Sequence, residues 1–599
     1  MWTVKKKIHL LFRGMFLCGA LTVLLQPGQA QSRAYYSTTP WSVRMAQSDM
    51  ARQPGRYIMG YRFWDYVIGV ELTGFEQLWR TTNDTVYYQY IKSTVDAAVN
   101  SSGTSITGYF ASSYTLDNIN EGKAINFLYS ITHENKYKSA AALLRNQLKT
   151  HPRTSEGGFW HKQTYPYQMW LDGLYMASPF CAEYGTQFSE PSIYDSVVTQ
   201  FVLMETHARD PVTGLLSHGW DEKKVSQWAD PSTGCSPSFW GRAIGWYTMA
   251  LVDVLDELPA GHTGRSQLIG ILRRLALGIK QYQDSLRGTW YQVMDQGSRS
   301  GNWREASASC MFVYTVAKAV RMGYIDSTYL AAAKKGYVGI LNEFISINND
   351  STITLNKICA SAGLDAAAGG VRDGSFNYYV NNSGTQPVSN DGKGTGSFIM
   401  ASIELERMGF IVPPLHVTST FAGDSVLLSW NDRTYNALSF IIERKISTET
   451  EFVQIGEAVK GHVQFIDKAL QGNTKYIYRM RAKSIAGFSD YSPLDSITTL
   501  DVPTGIRTQE RSESFELMQN YPNPCNAVTN IKFKTSSDGA VTLEVFDILG
   551  RKTATLMNGI THAGIYSVQW DAAKSPSGIY FFRLQSGGKS FVQKFVLTK

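Results

Sequence analysis

From about residue 38 to residue 410, apolar positions recur at intervals of three and four, the spacing that lines up side chains on one face of an α-helix. The pattern predicts helices over Thr85–Val99, Glu121–Ile131, Lys136–Leu148, Met169–Tyr184, Ile193–Glu205, Phe239–Leu258, Ser266–Tyr282, Glu305–Met322, Tyr329–Phe344 and Thr395–Met408. Two aromatic-rich helices before Arg80 bring the total to about twelve. That number suggests six helical hairpins around one axis, an all-α (α/α)6 barrel. A solenoid of helical repeats would show self-similarity at a fixed period, and none is visible.

Pro413-Pro414 closes the helical region, because tandem proline ends a helix and stiffens a linker. The period then falls to two. Ser425–Trp430, Phe440–Arg444 and Lys475–Ala482 read as short strands of a β-sandwich spanning 413–500. Trp430, Tyr476 and Tyr478, followed by Ala486-Gly487 and Ser489, resemble a fibronectin type III domain. Residues 501–513 read as a polar linker, and 514–599 as a second small all-β sandwich. Its Tyr521-Pro522-Asn523-Pro524, Val541–Asp547, Leu549-Gly550-Arg551, Trp570-Asp571 and Ser577–Tyr580 resemble the C-terminal sorting domain of the type IX secretion system. Cys525 replaces the aromatic usual after Asn-Pro. The resemblance implies a Gram-negative host, type IX secretion machinery as a partner, and removal of the domain at the outer membrane.

The first thirty residues read as an export signal. Lys5, Lys6, Lys7 and Arg13 precede the apolar run Gly14–Leu25, and Pro27-Gly28-Gln29-Ala30 offers a small-residue cleavage site before Gln31. The run is too short to span a bilayer as a mature helix. Cys18 follows Leu17 where a lipoprotein signal wants a small residue, so ordinary cleavage is expected. Removing these four cations takes the formal charge from +7 to about +3, which is no nucleic-acid footprint. Five cysteines remain, Cys181, Cys235, Cys310, Cys359 and Cys525, with no C-x-x-C spacing, so no structural metal site is expected. An odd count leaves at least one thiol unpaired. Aromatics make up 13% of the chain, enough for sugar-stacking surfaces, but core packing would absorb most of them. Chemistry has to be sought in local clusters.

Four polar-aromatic clusters fall at predicted helix ends or loops. In Tyr114–Lys123, Asp117 stands where a helix begins, as a helix-capping residue would. His161-Lys162 precede Trp170–Ala177, where Asp172 sits among Trp, Leu, Tyr and Met. A carboxylate in that setting must be ion-paired (with Lys162 or Arg242), hydrogen-bonded, or kept neutral as a general acid requires. Ser217–Trp220 places His218 on a loop. Phe239–Tyr247 combines Trp240 and Trp246 with Arg242, a planar fork of donors suited to a carboxylate.

Asp117 in L-D-N-I-N-x-G-K, Asp172 in W-x-D-G-L-Y-M-A, His218 in H-G-W, and F-W-G-R-A-x-G-W resemble glycoside hydrolase family 105. So do Glu305–Ser309 and Asn390–Gly394. These are unsaturated rhamnogalacturonyl hydrolases, related to the unsaturated glucuronyl hydrolases of family 88. The likeness spans about residues 40 to 410 and implies the (α/α)6 barrel. It also implies hydration of the C4=C5 double bond that polysaccharide lyases leave on a terminal uronate of pectin-derived oligosaccharides. Asp172 then maps to the general acid and base, and Asp117 to a second carboxylate that binds sugar hydroxyls. His161, Lys162 and His218 map to the substrate site, and Trp240, Arg242 and Trp246 to the cleft. The pairing of Arg242 with the uronate carboxylate rests on its chemistry alone. No cofactor or metal is called for, since H-E-x-x-H, EF-hand and Walker motifs are absent. Two other readings are the same chemistry on glycosaminoglycan or ulvan products, and a non-catalytic surface protein that binds carbohydrate. The retained pair Asp117 and Asp172 argues against the last.

Overall fold

The computed structural model describes residues 38–53, 64–367, 370–422, 425–500, 515–561, 564–573 and 575–598. The export signal read over 1–30 and the linker over 501–513 lie outside them. The helices predicted from periodicity form, with ends displaced by up to three residues. In chain order they are α1 Trp41–Arg52, α2 Tyr66–Thr82, α3 Thr85–Ala98, α4 Gly122–Thr132, α5 Asn135–Thr150, α6 Leu171–Gln187 and α7 Ile193–Ala208. Then follow α8 Gly241–Glu257, α9 Gly264–Gln281, α10 Ala306–Arg321, α11 Leu330–Glu343, the short α12 Phe376–Asn381, and α13 Gly392–Arg407.

Burial sorts them into two rings. Helices α2, α4, α6, α8, α10 and α13 each pack against the next, and α13 returns to α2, closing an inner ring. The outer helices α1, α3, α5, α7, α9 and α11 each back an inner one. In α8, every residue from Gly241 to Val252 is buried, as an inner helix requires. Outer α5 buries only the stripe Tyr137, Ala140, Ala141, Leu144, Gln147 and Leu148. The ring closes tightly where α2 meets α13: a Cβ on Gly396 would lie 2.7 Å from the carbonyl oxygen of Val70. Outer and inner helices alternate along the chain, so the connections into the inner N-termini share one end. They are the long ones, including 99–121, 151–170, 209–240 and 282–305. The connections at the opposite end run only two to eight residues. All four sequence clusters lie on the long-loop end.

After Val412, two sheets form a sandwich. One orders strands Gln464–Asp467, Val426–Asn431 and Leu415–Phe421. The other orders Val453–Val459, Ser439–Ile446 and Lys475–Ser484, with Gly487–Phe488 and Asp495–Thr498 both on the last of these. Trp430, Phe440, Tyr478 and Met480 fill the space between. This sandwich is docked on the barrel: Trp41 Nε1 donates to the Arg433 carbonyl at 2.9 Å, and Tyr435 packs against the barrel core. Residues 515–598 form a separate unit of two sheets around Phe533, Trp570, Phe582 and Phe595. All five cysteines among the described residues are free.

Candidate active site

The long loops are tied together by backbone bonds, and these bonds bring distant clusters into contact. Strand Gln168–Trp170 pairs antiparallel with Gly219–Asp221, so Trp170 faces Gly219. The carbonyl of His218 accepts from Leu171 N at 2.9 Å. Gly219 packs closely here: a Cβ would lie 2.5 Å from the end of the Leu364 side chain and 3.1 Å from the Trp170 ring. On the other side, His161 N donates to the Gln168 carbonyl at 2.8 Å, and the His161 carbonyl accepts from Leu116 N at 3.1 Å. One ladder thus runs from the residue before Asp117, through His161, to the residue before Asp172 and on to His218.

Asp172 falls in the first turn of α6, not mid-helix, because Met169 and Trp170 belong to the strand. Its Oδ2 lies 2.8 Å from His218 Nε2, the side chains being 13% and 0% accessible. The contact is off the line a good hydrogen bond requires, and neither atom has another partner. His218 Nδ1 is 2.7 Å from the hydroxyl of Tyr379, which fixes the ring from behind. Asp172 is therefore paired, and its partner is His218 in place of the Lys162 or Arg242 that the sequence offered.

Lys162 instead serves Asp117. Its Nζ lies 2.6 Å from Asp117 Oδ2, and His161 Nε2 lies 3.4 Å from Oδ1. Asp117 caps no helix: it opens the turn Asp117–Ile119 and turns its carboxylate to these two cationic or donor groups. Burial would raise its pKa, but the Lys162 ammonium, with His161, outweighs burial and holds the carboxyl below its usual range. Burial pushes the His161 pKa down to about 4, so this ring is neutral at neutral pH. His161 feels Asp117, Lys162, Asp172 and His218 together. The ring of His161 stacks on Trp170, centroids 4.3 Å apart, and Tyr165 stacks on the same indole at 4.8 Å.

The third group of expected residues is placed differently. Arg242 is 1% exposed; its Nη1 donates to the Cys359 carbonyl at 2.5 Å and to Ser307 Oγ at 3.5 Å. Its Nη2 makes no hydrogen bond. Trp240 is stacked on Tyr379 at 5.6 Å and tilted against His218 at 4.9 Å, walling the histidine in. Trp246 is a core residue, stacked on buried Tyr175 at 4.9 Å. All three side chains are buried in this structure, Trp240 against His218 and Tyr379 and Trp246 against Tyr175. Inner helices bury their faces completely, and these three side chains belong to the first two turns of α8 or its N-cap.

Several neighbours escaped the sequence reading. Tyr379 is one. Glu305 is another: it caps α10 and accepts from Cys359 N at 2.8 Å, fixing the strand that holds Arg242. Tyr66 lies within electrostatic reach of both Arg242 and Asp117, and Lys393 Nζ lies 5.9 Å over its ring. The motifs around Glu305 and Lys393 were visible; that they form the floor of one site was not.

A family model described as Glycosyl Hydrolase Family 88 matches residues 41–409, and one described as Secretion system C-terminal sorting domain matches residues 519–598. A solved glycoside hydrolase from family 105 of C. acetobutylicum is similar at 42% identity, covering 62% of this chain and all of that one, with a TM-score of 0.58. A 24.9 kDa protein in the picA locus of Rhizobium radiobacter is 36% identical over 234 residues, 38% of this chain and 97% of that protein. The unsaturated rhamnogalacturonyl hydrolase YesR of Bacillus subtilis is 26% identical over 252 residues, 41% of this chain and 68% of that protein.

Proposed function

The chain belongs to Glycosyl Hydrolase Family 88, and from that premise we propose that it is an unsaturated rhamnogalacturonyl hydrolase acting on lyase-generated pectin oligosaccharides. It is a glycoside hydrolase with a helical-hairpin barrel; the substrate and the residue roles are the proposal. The observation that carries it is the pair of carboxylates on one ladder, Asp172 against His218 and Asp117 against Lys162. The similarity to the B. subtilis rhamnogalacturonyl hydrolase favours this substrate over a glucuronyl one.

In the proposed reaction Asp172 begins with a proton and gives it to C4 of the unsaturated sugar. Water adds at C5, and Asp172 takes a proton from that water, regenerating itself. The hemiketal opens by breaking C5–O5 to leave a ketone at C5 and a hemiacetal at C1, and the hemiacetal collapses to an aldehyde, releasing the neighbouring sugar as an alcohol with its oxygen. His218, pinned by Tyr379, sets the direction of the Asp172 carboxyl. Asp117, held as a carboxylate by Lys162, accepts hydrogen bonds from sugar hydroxyls. Neutral His161 can donate or accept beside it. The residues in these roles are Asp172, Asp117, His161, Lys162 and His218, with Trp240, Arg242 and Trp246 as further substrate-binding residues.

A panel of lyase products tests the reading by loss of the ultraviolet absorbance of the conjugated double bond. Unsaturated rhamnogalacturonan oligosaccharides should lose it fastest, and saturated uronides should not be cleaved. Faster turnover of glycosaminoglycan or ulvan products would move the proposal to a glucuronyl substrate.

The sorting domain at residues 519–598 supports export through the type IX system to the surface of a Gram-negative cell, with the segment removed on arrival. Deleting residues from 514 onward should leave purified activity intact and strand the protein in the periplasm. Normal surface delivery of the truncated chain would refute that route. The strand order over 415–498 supports the fibronectin type III assignment of the intervening sandwich.

A further inference from the structure

A groove of about 790 Å³, apart from the candidate active site, lies where the sandwich docks on the barrel. Its barrel wall is α11 together with Leu286 and Arg287 of the connection 282–305. Its sandwich wall is Leu415, His416 and Val417 with the segment around Leu494. The groove follows α11 from Leu330 to Asn342, about 18 Å of helix. Outer helices end where the long connections begin. Its Asn342 and Arg287 end therefore lies at the end of the barrel that carries the candidate site.

Local bonds fix both walls. Asp284 Oδ1 accepts from Leu286 N at 2.9 Å and from Arg287 N at 2.6 Å, and the Ser285 carbonyl accepts from Lys335 Nζ at 2.5 Å. Gly288 turns this loop at a φ of 79°, and a Cβ there would lie 2.6 Å from the Lys335 carbonyl oxygen. On the sandwich side, Leu415 pairs with Asn431 and Thr418 with Ser429, so His416 and Val417 together stand opposite Trp430. That is a bulge, and His416 within it takes a φ of 49°, left-handed for a residue other than glycine. Bulges re-aim side chains, and both bulged residues line the groove.

The lining joins apolar surface to unpaired cations. Phe410, Pro413 and Leu415 are buried there, while Leu286 and Leu494 are 82% and 63% exposed. Lys334 Nζ lies 5.5 Å over the Phe410 ring. Neither the Lys334 ammonium nor the Arg287 guanidinium has an ion-pair or hydrogen-bond partner among the described residues, and the Asn342 amide and His416 ring have none either. Against Arg287, Lys334 and Lys335 the lining sets a single acid, Asp490. A fitting occupant is therefore anionic and offers apolar surface. A second copy of this chain brings net positive charge, which disfavours it. A uronate-bearing polysaccharide brings carboxylates along its length and the C–H faces of its rings. Resting on the uronide reading above for the identity of the anion, we propose that this groove is a second polysaccharide site, separate from the catalytic one. It tethers the enzyme to uronate-rich polymer through carboxylates set against Arg287 and Lys334. The groove takes no part in the reaction itself.

The test compares the full chain with its double variant Arg287→Glu, Lys334→Glu. Binding to soluble polygalacturonate and to a neutral galactan is read by affinity electrophoresis, and kcat and KM are read on an unsaturated disaccharide. The parent should bind polygalacturonate, less tightly as salt rises, and should not bind galactan. The double variant should lose about 10-fold in polymer affinity, with both disaccharide constants unchanged. Arg287→Gln with Lys334→Gln keeps the test alive if charge reversal disturbs folding, and should shift affinity in the same direction. A parent that ignores polygalacturonate, a variant that binds it as the parent does, or equal binding to galactan overturns the inference. So does a disaccharide KM that rises as much as the polymer Kd, because the two cations then serve the catalytic site. Self-association of the parent that the double variant loses in sedimentation would make the occupant a second copy, and would overturn the polysaccharide assignment. A parent that binds the polymer but turns over no unsaturated disaccharide sinks the catalytic reading and leaves the groove standing.

Discussion

Lys162→Met probes the electrostatics of the site most sharply. In the parent protein the Lys162 ammonium lies 2.6 Å from Asp117, with 31% of the lysine side chain and 18% of the carboxylate accessible. An opposite charge this close favours the ionised form of a carboxyl and lowers its pKa. Burial acts in the other direction and remains when the lysine is gone. The Asp117 pKa should therefore rise in the variant. The ionised carboxylate, present above its pKa, is then lost at a higher pH as the solution is acidified. If catalysis needs that carboxylate, the acid limb of kcat/KM should move to higher pH. Initial rates of absorbance loss, measured from about pH 4 to pH 8, report it directly. Lys162→Arg keeps the charge and should leave the limb in place. A uniform fall in rate at every pH, with the limb unmoved, would refute the claim that Lys162 sets the charge of Asp117.

Two further predictions concern stability. His151 and His161 are both 3% exposed, and burial lowers each pKa to about 4. Because the folded values lie below the unfolded one of about 6.5, the stabilisation is complete above that pH and is lost as pH falls towards 4. The loss is at most about 3 kcal/mol per ring; urea unfolding at several pH values should show it, and His151→Gln should flatten the slope. A slope unchanged by that substitution would contradict the account. The second concerns the docked sandwich: a chain ending at Val412 should keep kcat, since every proposed site residue precedes it. It should melt at a lower temperature, because Trp41 loses its acceptor on Arg433 and the barrel core loses Tyr435. A folded but inactive barrel would show that the sandwich contributes to the site.

Helix number and order were legible because inner and outer helices both carry apolar residues at helical spacing, and spacing is a local property. The ends were less so. Met169 and Trp170 continue the apolar pattern of α6, yet they pair as a strand with Gly219–Asp221, a partner far along the chain. That pairing delivers His218 to Asp172, a contact that no local pattern in the sequence announces. Lys162 shows the same limit: it is ten residues from Asp172 but is drawn to Asp117 by the Thr115–Lys162 bridge. Trp246 fits an aromatic platform by residue type, and its stacking on Tyr175 follows from the closed inner ring. Tyr379 offered no signal, since a tyrosine in an apolar turn looks the same whether or not its hydroxyl meets a histidine.

The central claim is that Asp172 transfers the proton that hydrates the double bond. Asp172→Asn preserves size and removes that proton, so absorbance loss on unsaturated rhamnogalacturonan oligosaccharides should slow by about two to four orders of magnitude, with folding little changed. A variant that bleaches the substrate within a few-fold of the parent rate would contradict the account.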